Sequence, residues 1–411
     1  MKKTVIFIVF SLFLGVITFI PSDRATAAPS EKDVEKQLEE TVEDQLDGID
    51  WESLQNFIDE ECDDVGILGK SLSETAEDIL SGNFSTDATT FLQYLADVFF
   101  DKIKSILPVL SGIAVICILS GVVSKTKSNL LGETTGNLIN FFCFSTVLLF
   151  ILSGIWNLLT VARKTIYSIK KLSDIAMPVL LTLMTATGAK TSAKVYTPTV
   201  ALLTEGVTEV VAEVVLPIFV FCVVFCIISN VSQEIKLKQL SLFFKNVSSW
   251  ILGITFTVFT GFMSIQGLTA ATIDGVSIRA AKFATKTYIP ILGGYLADGF
   301  DLILTSCVLI KNCFGVIVLI VLLSVALSPI LYIIVFNVGL HAVAAFTEPI
   351  ADIAIVGFLT DVGKSLSILL VSVIAVTFML FIMVMLIIFS ISKKVSLFSD
   401  IIVISGLSTP L

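Results

Sequence analysis

From residue 102 onward, long apolar runs separated by short polar stretches dominate the chain. Before that point, apolar residues recur at helical spacing among acidic ones. Five runs reach the roughly 20 residues that an α-helix needs to cross a hydrocarbon core: 105–123, 138–161, 214–231, 247–271 and 366–391. A sixth, 314–338, contains Pro329, which predicts a kink. Two weaker stretches, 172–189 and 288–310, each carry proline near the start and glycine further along. The pattern predicts an all-α polytopic membrane protein with about seven transmembrane helices, six to eight being the range.

The N-terminus has the layout of a secretory signal peptide. Lys2 and Lys3 precede an apolar core over residues 4–20, Pro21 breaks it, and Ala25-Thr26-Ala27 gives the small-x-small cleavage pattern. Cleavage is expected after Ala27 or Ala28. The alternative is an uncleaved anchor, since the core is near the upper length for a signal peptide. The expected organisation is a signal peptide over 1–27, an acidic helical extracytoplasmic domain over 28–101 and a multi-span membrane domain over 102–411.

Within 28–101, Val34, Leu38, Val42 and Leu46 fall on one helix face, and Gly48 ends that helix. Asp50 is placed to cap a second helix with Leu54, Phe57 and Ile58 on its apolar side. Ser71 and Glu74 fit a capping box before a third. Thr86 or Asp87 starts a longer helix that runs toward the first span.

Charge separates the same two regions. Residues 31–101 hold 21 acidic side chains against three lysines, whereas residues 102–411 hold 20 basic against 13 acidic. The overall net charge of −9 therefore averages two unlike parts. Hydrophobic residues make up 55% of the chain and charged ones 15%, and the mean hydropathy is +0.96. Soluble domains carry about 25% charged residues, so lipid is the expected solvent for most of this chain. No basic extramembrane patch suggests nucleic-acid binding. Of the seven cysteines only Cys62 lies in the acidic part, which leaves no intramolecular disulfide framework there. Cys222 and Cys226 read as small buried hydrophobes.

Carboxylates within apolar surroundings are costly and mark candidate functional positions. Glu205, Glu209 and Glu213 are spaced i, i+4, i+8. They would line an aqueous pathway or else sit in interfacial water before Pro217. Asp298 and Asp301 follow the second proline–glycine stretch, with Lys311 as a candidate partner. Glu348 and Asp352 share a helical spacing in the last polar stretch, beside His341, Pro349 and Asp361. Lys170-Lys171 before Met177-Pro178 and Lys282/Lys286 before Ile289-Pro290 form a weak internal echo, of the kind that marks re-entrant or pathway-forming segments. Under an outside N-terminus, Arg163, Lys164, Lys170 and Lys171 fall outside, against the positive-inside rule, unless an interfacial helix carries them. There is no phosphate-cradling G-x-x-x-x-G-K-[ST] and no H-E-x-x-H, and the single His341 cannot build a usual zinc site. No enzyme activity, metal or cofactor is expected.

The signal peptide, the acidic head and the segments Ile289-Pro290-Ile291-Leu292-Gly293-Gly294 and Phe346-Thr347-Glu348-Pro349-Ile350 together resemble the stage III sporulation protein AE family of endospore-forming Firmicutes. The resemblance covers essentially the whole chain. It implies a mother-cell protein in the membrane surrounding the engulfed forespore, with its N-terminal domain in the intermembrane space. It implies partners among the other stage III A operon proteins, including a cytoplasmic ATPase and ring-forming subunits, and stage II sporulation protein Q across the gap. The expected function is a non-enzymatic subunit of a sporulation channel or secretion-like complex. A stand-alone secondary transporter for an ion or small solute is the rival, motivated by the echoed segments and the carboxylates.

Overall fold

The computed structural model describes residues 51–61, 72–80, 88–126, 133–231, 237–288 and 293–404. The signal peptide with Ala25, Ala27 and Ala28, the helix expected over Val34–Leu46, and Pro290 lie outside these residues. The described residues are helical apart from short turns, with no strand among them.

Two short helices form the described part of the acidic head: α1 (Trp51–Glu61) and α2 (Leu72–Leu80). As the spacing predicts, Leu54, Phe57 and Ile58 are the buried face of α1. A long helix α3 (Ala88–Thr126) follows and carries the first span, so the expected boundary at 101/102 falls inside a continuous helix. Then come α4 (Glu133–Ala186) and α5 (Lys190–Ala201). Two π-helical turns, Leu202–Val207 and Val210–Val215, lead into α6 (Leu216–Val231). The last three helices are α7 (Lys238–Tyr288), α8 (Gly293–Thr347) and α9 (Ile353–Ile404).

Six helical segments are long and apolar enough to cross a membrane among the described residues: 93–123, 138–186, 190–231, 238–265, 303–347 and 353–389. The weaker stretch 172–189 is the continuation of α4, which passes through Pro178 and ends at Ala186. That end has a physical cause. Gly188 adopts φ 80°, where a Cβ would be strained. The Ala189 amide donates to Met184 O (3.2 Å) and the Gly188 amide to Thr185 O (3.0 Å), the two bonds that close a helix with a left-handed residue at C′.

The contacts run in alternating directions. Ser120 and Asn140 join the end of α3 to the start of α4 (3.4 Å). Asn157 donates to Tyr332 Oη (2.9 Å), and a Cβ at Gly154 would strike the Phe336 ring, so α4 and α8 run antiparallel in close approach. Phe144 packs on Phe358 near the start of α9. At Gly121 a Cβ would collide with the Ile350 backbone, which lets the end of α3 meet the turn between α8 and α9. The result is an up-and-down bundle of six. Its centre is α8 and α9, where 61% and 67% of the most apolar window is buried, against 22–28% in α3, α4 and α7.

Candidate functional site: two polar belts

In every spanning helix an uncharged stretch lies between polar ends. These stretches are 105–124, 134–162, 214–233, 246–273, 312–340 and 365–392. Charged side chains gather at the two ends and form two belts, one beside the head and one at the opposite end. Trp156 and Trp250, both 72% exposed, lie just inside the two ends, the depth that indole rings favour at a membrane–water interface.

The head-side belt is built on α4. Its four cations each meet a carboxylate. Arg163 Nη2 pairs with Glu213 Oε1 at 2.6 Å and Lys170 Nζ with Glu205 Oε2 at 3.3 Å. From the head, Glu61 accepts Lys164 at 3.3 Å and Glu60 accepts Lys171 at 2.5 Å. Tyr167 Oη also donates to Glu213 Oε1 (2.9 Å) and Ser168 Oγ to Glu61 Oε2 (2.9 Å). The hydrogen bond and charge of Lys171 hold the Glu60 carboxyl below its usual range. Three further contacts seat the head in the same place. Trp51 packs on Phe314 with ring centroids 5.6 Å apart, Lys171 lies over the Phe57 ring, and Cys313 Sγ donates to Ala76 O (3.5 Å). Ile166, Ile169 and Leu172 face inward from the stretch of α4 that the sequence suggests as an interfacial helix.

Glu205, Glu209 and Glu213 therefore stand at this belt, all exposed. Residues four apart drift by about 40° per step in an α-helix. The π turns hold more residues per turn and reverse that drift, so the three acids stay on one face. Thr208 Oγ1 follows the π pattern and donates to Leu203 O (3.1 Å). Glu209 lies between its paired neighbours and makes no ion pair among the described residues.

Beyond this belt, α4, α5 and α7 project past the hydrocarbon level. There a residue that sequence reasoning passed over, Asp274, is 2% exposed and accepts the Thr191 amide (3.0 Å) and the Ser192 amide (2.8 Å). It caps α5 from a neighbouring helix, and only its isolation in a polar stretch of α7 hinted at a role. Burial pushes its carboxyl up, but the hydrogen bonds from Ser192 and Thr191 outweigh this and hold it below the usual carboxylate range.

Two expected pairings change. Asp298, Asp301 and Lys311 all belong to α8. Ten residues of α-helix separate Lys311 from Asp301, about 15 Å of rise, too far for an ion pair. Lys311 instead is fully buried and donates to Ile387 O and Ile388 O, each at 3.0 Å. Glu348 and Asp352 do not share a helix face, because α8 ends at Thr347 and α9 starts at Ile353. Glu348 is exposed in the turn. Asp352 caps α9 by accepting the Ala354 amide (2.9 Å), and it also accepts Asn140 Nδ2 (3.3 Å).

The opposite belt brings together groups from α6, α7 and α9. Asp361 pairs with Lys238 (2.9 Å) and Lys364 (3.2 Å), while Lys245 Nζ donates to the Lys364 carbonyl (2.6 Å). Behind them Ser241 Oγ donates to Cys222 O (3.0 Å).

The family model for stage III sporulation protein AE matches residues 70–391. The chain belongs to the stage III sporulation protein AE family. A curated relative, the stage III sporulation protein AE of Bacillus subtilis (strain 168), is 21% identical over 316 residues, covering 77% of this chain and 79% of the relative. No solved structure matches. The matched residues include α2, all six spanning segments, the opposite belt and the head-side belt apart from Glu60 and Glu61 of α1, so membership in this sporulation family rests on the membrane bundle as well as on part of the head.

Proposed function

We propose that this chain is a non-enzymatic, multi-pass subunit of a channel or secretion-like complex that links mother cell and forespore. The family gives the sporulation role. The observation that carries the rest is the dry interior of the bundle. Between the belts the buried side chains of the described residues are mainly Ile, Leu, Val, Phe, Met, Ala and Cys. The buried hydroxyls of Ser324, Ser372 and Thr377 bond their own helices at i−4, and Ser120 and Ser248 place one buried hydroxyl each on α3 and α7. Among the described residues these scattered hydroxyls form no continuous polar line for a solute to follow. A conduit then needs neighbours, and this chain serves as a wall or platform within an assembly.

In this reading the head faces the intermembrane space of the membrane around the forespore. Its partners are the other stage III A operon proteins, the cytoplasmic ATPase and ring-forming subunits among them, and stage II sporulation protein Q. Energy comes from the ATPase partner. Glu209, with Glu205, Glu213, Asp298 and Asp301, stands toward the head-side mouth of the assembly, and Glu348 and Asp352 toward the other end.

Three measurements test this. Affinity purification from sporulating cells should recover the chain with those partners, and the chain alone in liposomes should move no ion or small solute. Solute uptake by the purified chain alone would replace this reading with that of a secondary transporter. A cysteine at Glu209 should react with an impermeant thiol reagent from the head side, and one at Lys364 only from the opposite side.

A further inference from the structure

We propose that the crevice between α6, α7 and α9 holds the phosphate headgroup of an anionic phospholipid, with an acyl chain lying along the outward face of α7. Three lysines, Lys238, Lys245 and Lys364, line the crevice together with one carboxylate, Asp361. Asp361 is shared by Lys238 and Lys364, and the described partner of Lys245 is a backbone carbonyl. The ammonium of Lys245 therefore still has donors for an anion. The residues 232–236 that join α6 to α7 in sequence contain one acid and one base, Glu234 and Lys236, and carry no net charge. Asn230, Ser229 and Ser365 add polar atoms to the lining.

The position in the bilayer points to a lipid rather than a soluble anion. The uncharged stretch of α7 begins at residue 246 and that of α9 at residue 365, so the crevice lies at the edge of the hydrocarbon, where lipid phosphates sit. Basic pockets between spanning helices at this depth favour anionic headgroups. A second feature continues from the first. Ser249 lies one turn beyond Lys245 and donates to its carbonyl (3.0 Å). From Ser249 an open groove runs along α7 past Gly253 and Thr257, walled by the exposed side chains of Trp250, Ile254 and Val258. A Cβ at Gly253 would meet nothing within 4 Å. The serine and threonine hydroxyls in this face are satisfied by their own helix, as in Thr257 Oγ1 to Gly253 O (2.8 Å). The groove is therefore fit for an alkyl chain. Headgroup charge and chain groove lie on one helix in the order a phospholipid presents them.

The test uses the full chain, purified and exchanged into nanodiscs that mix phosphatidylglycerol and phosphatidylcholine, with bound lipid counted by native mass spectrometry after release. The wild type should retain phosphatidylglycerol at least tenfold over phosphatidylcholine. Lys245→Gln and Lys364→Gln should each weaken that preference about fivefold, the value of one lysine near an anionic surface. Lys104→Gln, in the head-side exposed pair with Asp101, should leave it unchanged. Gly253→Leu should weaken retention of both lipids alike. Equal retention of the two lipids by the wild type overturns the proposal. Displacement of phosphatidylglycerol by millimolar inorganic phosphate makes the crevice a soluble-anion site and also overturns it. Gly253→Leu changing the oligomeric state while lipid retention holds makes the groove a protein interface, with the same consequence. The phosphate competition needs no variant, so it decides the matter even where a lysine substitution unfolds the crevice.

Discussion

Removing the Asp274 carboxylate should loosen the start of α5 without dismantling the bundle. Thr191 and Ser192 are among the first residues of that helix, whose leading amides have no partner within it. Both of their N–H groups donate to Asp274, one to each oxygen. A hydrogen bond to a charged group contributes about 1.5–3 kcal/mol, and an ordinary N-cap about 0.5–2 kcal/mol. The two bonds share one carboxylate and are not additive, so Asp274→Ala should cost about 2–4 kcal/mol locally. At about 1.4 kcal/mol per factor of ten, the amides at 191–195 should exchange with deuterium about 30-fold faster or more in detergent micelles, while those of α8 keep their protection. Asp274→Asn keeps one acceptor and should lose about half as much. The carboxyl is held below its ordinary value. Its stabilisation is therefore fully present above about pH 4, the unfolded pKa of an aspartate, and disappears as pH falls through the lower folded value. Wild-type exchange rates at 191–195 in the Asp274→Ala variant would refute the capping role.

Three further outcomes follow from contacts elsewhere. Gly154→Leu drives a side chain into Phe336 and should lower the thermal midpoint in detergent, by an overpacking cost of about 1–3 kcal/mol; a midpoint at the wild-type value would mean that α4 and α8 do not meet there. Lys311→Met should match or exceed wild-type stability, since its acceptors Ile387 O and Ile388 O lie within the helical ladder of α9 and need no lysine, whereas Lys311→Ala should lose about 2–4 kcal/mol to a cavity; the same denaturation curve reads both. Phe57→Ala should release α1 from the bundle, seen as faster exchange over 51–61, while Glu60→Gln should change it little, because the Glu60–Lys171 pair is exposed to water and salt.

The spanning helices were legible because lipid demands long uncharged runs, and such runs stand out in one dimension. The six strongest runs in the sequence are the six segments that the bundle uses. The buried face of α1 was legible too, since Leu54, Phe57 and Ile58 obey helical periodicity. The stretch 172–189 misled because proline and glycine inside an apolar run suggest a break. Pro178 is instead accommodated within α4, and the stop comes at Gly188, where the backbone turns left-handed. Which spans form the centre was not legible. All the runs are apolar, and burial in α8 and α9 depends on neighbours far along the chain.

The polar groups show most sharply what spacing carries and what it omits. Stepwise i, i+4, i+8 placement put Glu205, Glu209 and Glu213 on one face, and the π turns make that alignment closer than an ideal α-helix would. Spacing cannot name a partner on another helix. Taken alone, the basic run Arg163–Lys171 breaks the positive-inside pattern if the head lies outside, and the acid stripe is an expense in lipid. Taken together they are one structure. Glu213 and Glu205 meet two of the four cations, and Glu61 and Glu60 of the head meet the other two. The charges that made each segment look anomalous are complementary halves of a belt at the membrane surface. Glu60 and Glu61 of the acidic head complete that belt. Asp361 and its lysines repeat the logic at the other end with one difference: there the cations outnumber the carboxylate, and that surplus, rather than any single residue, distinguishes the second belt as a place for an anion.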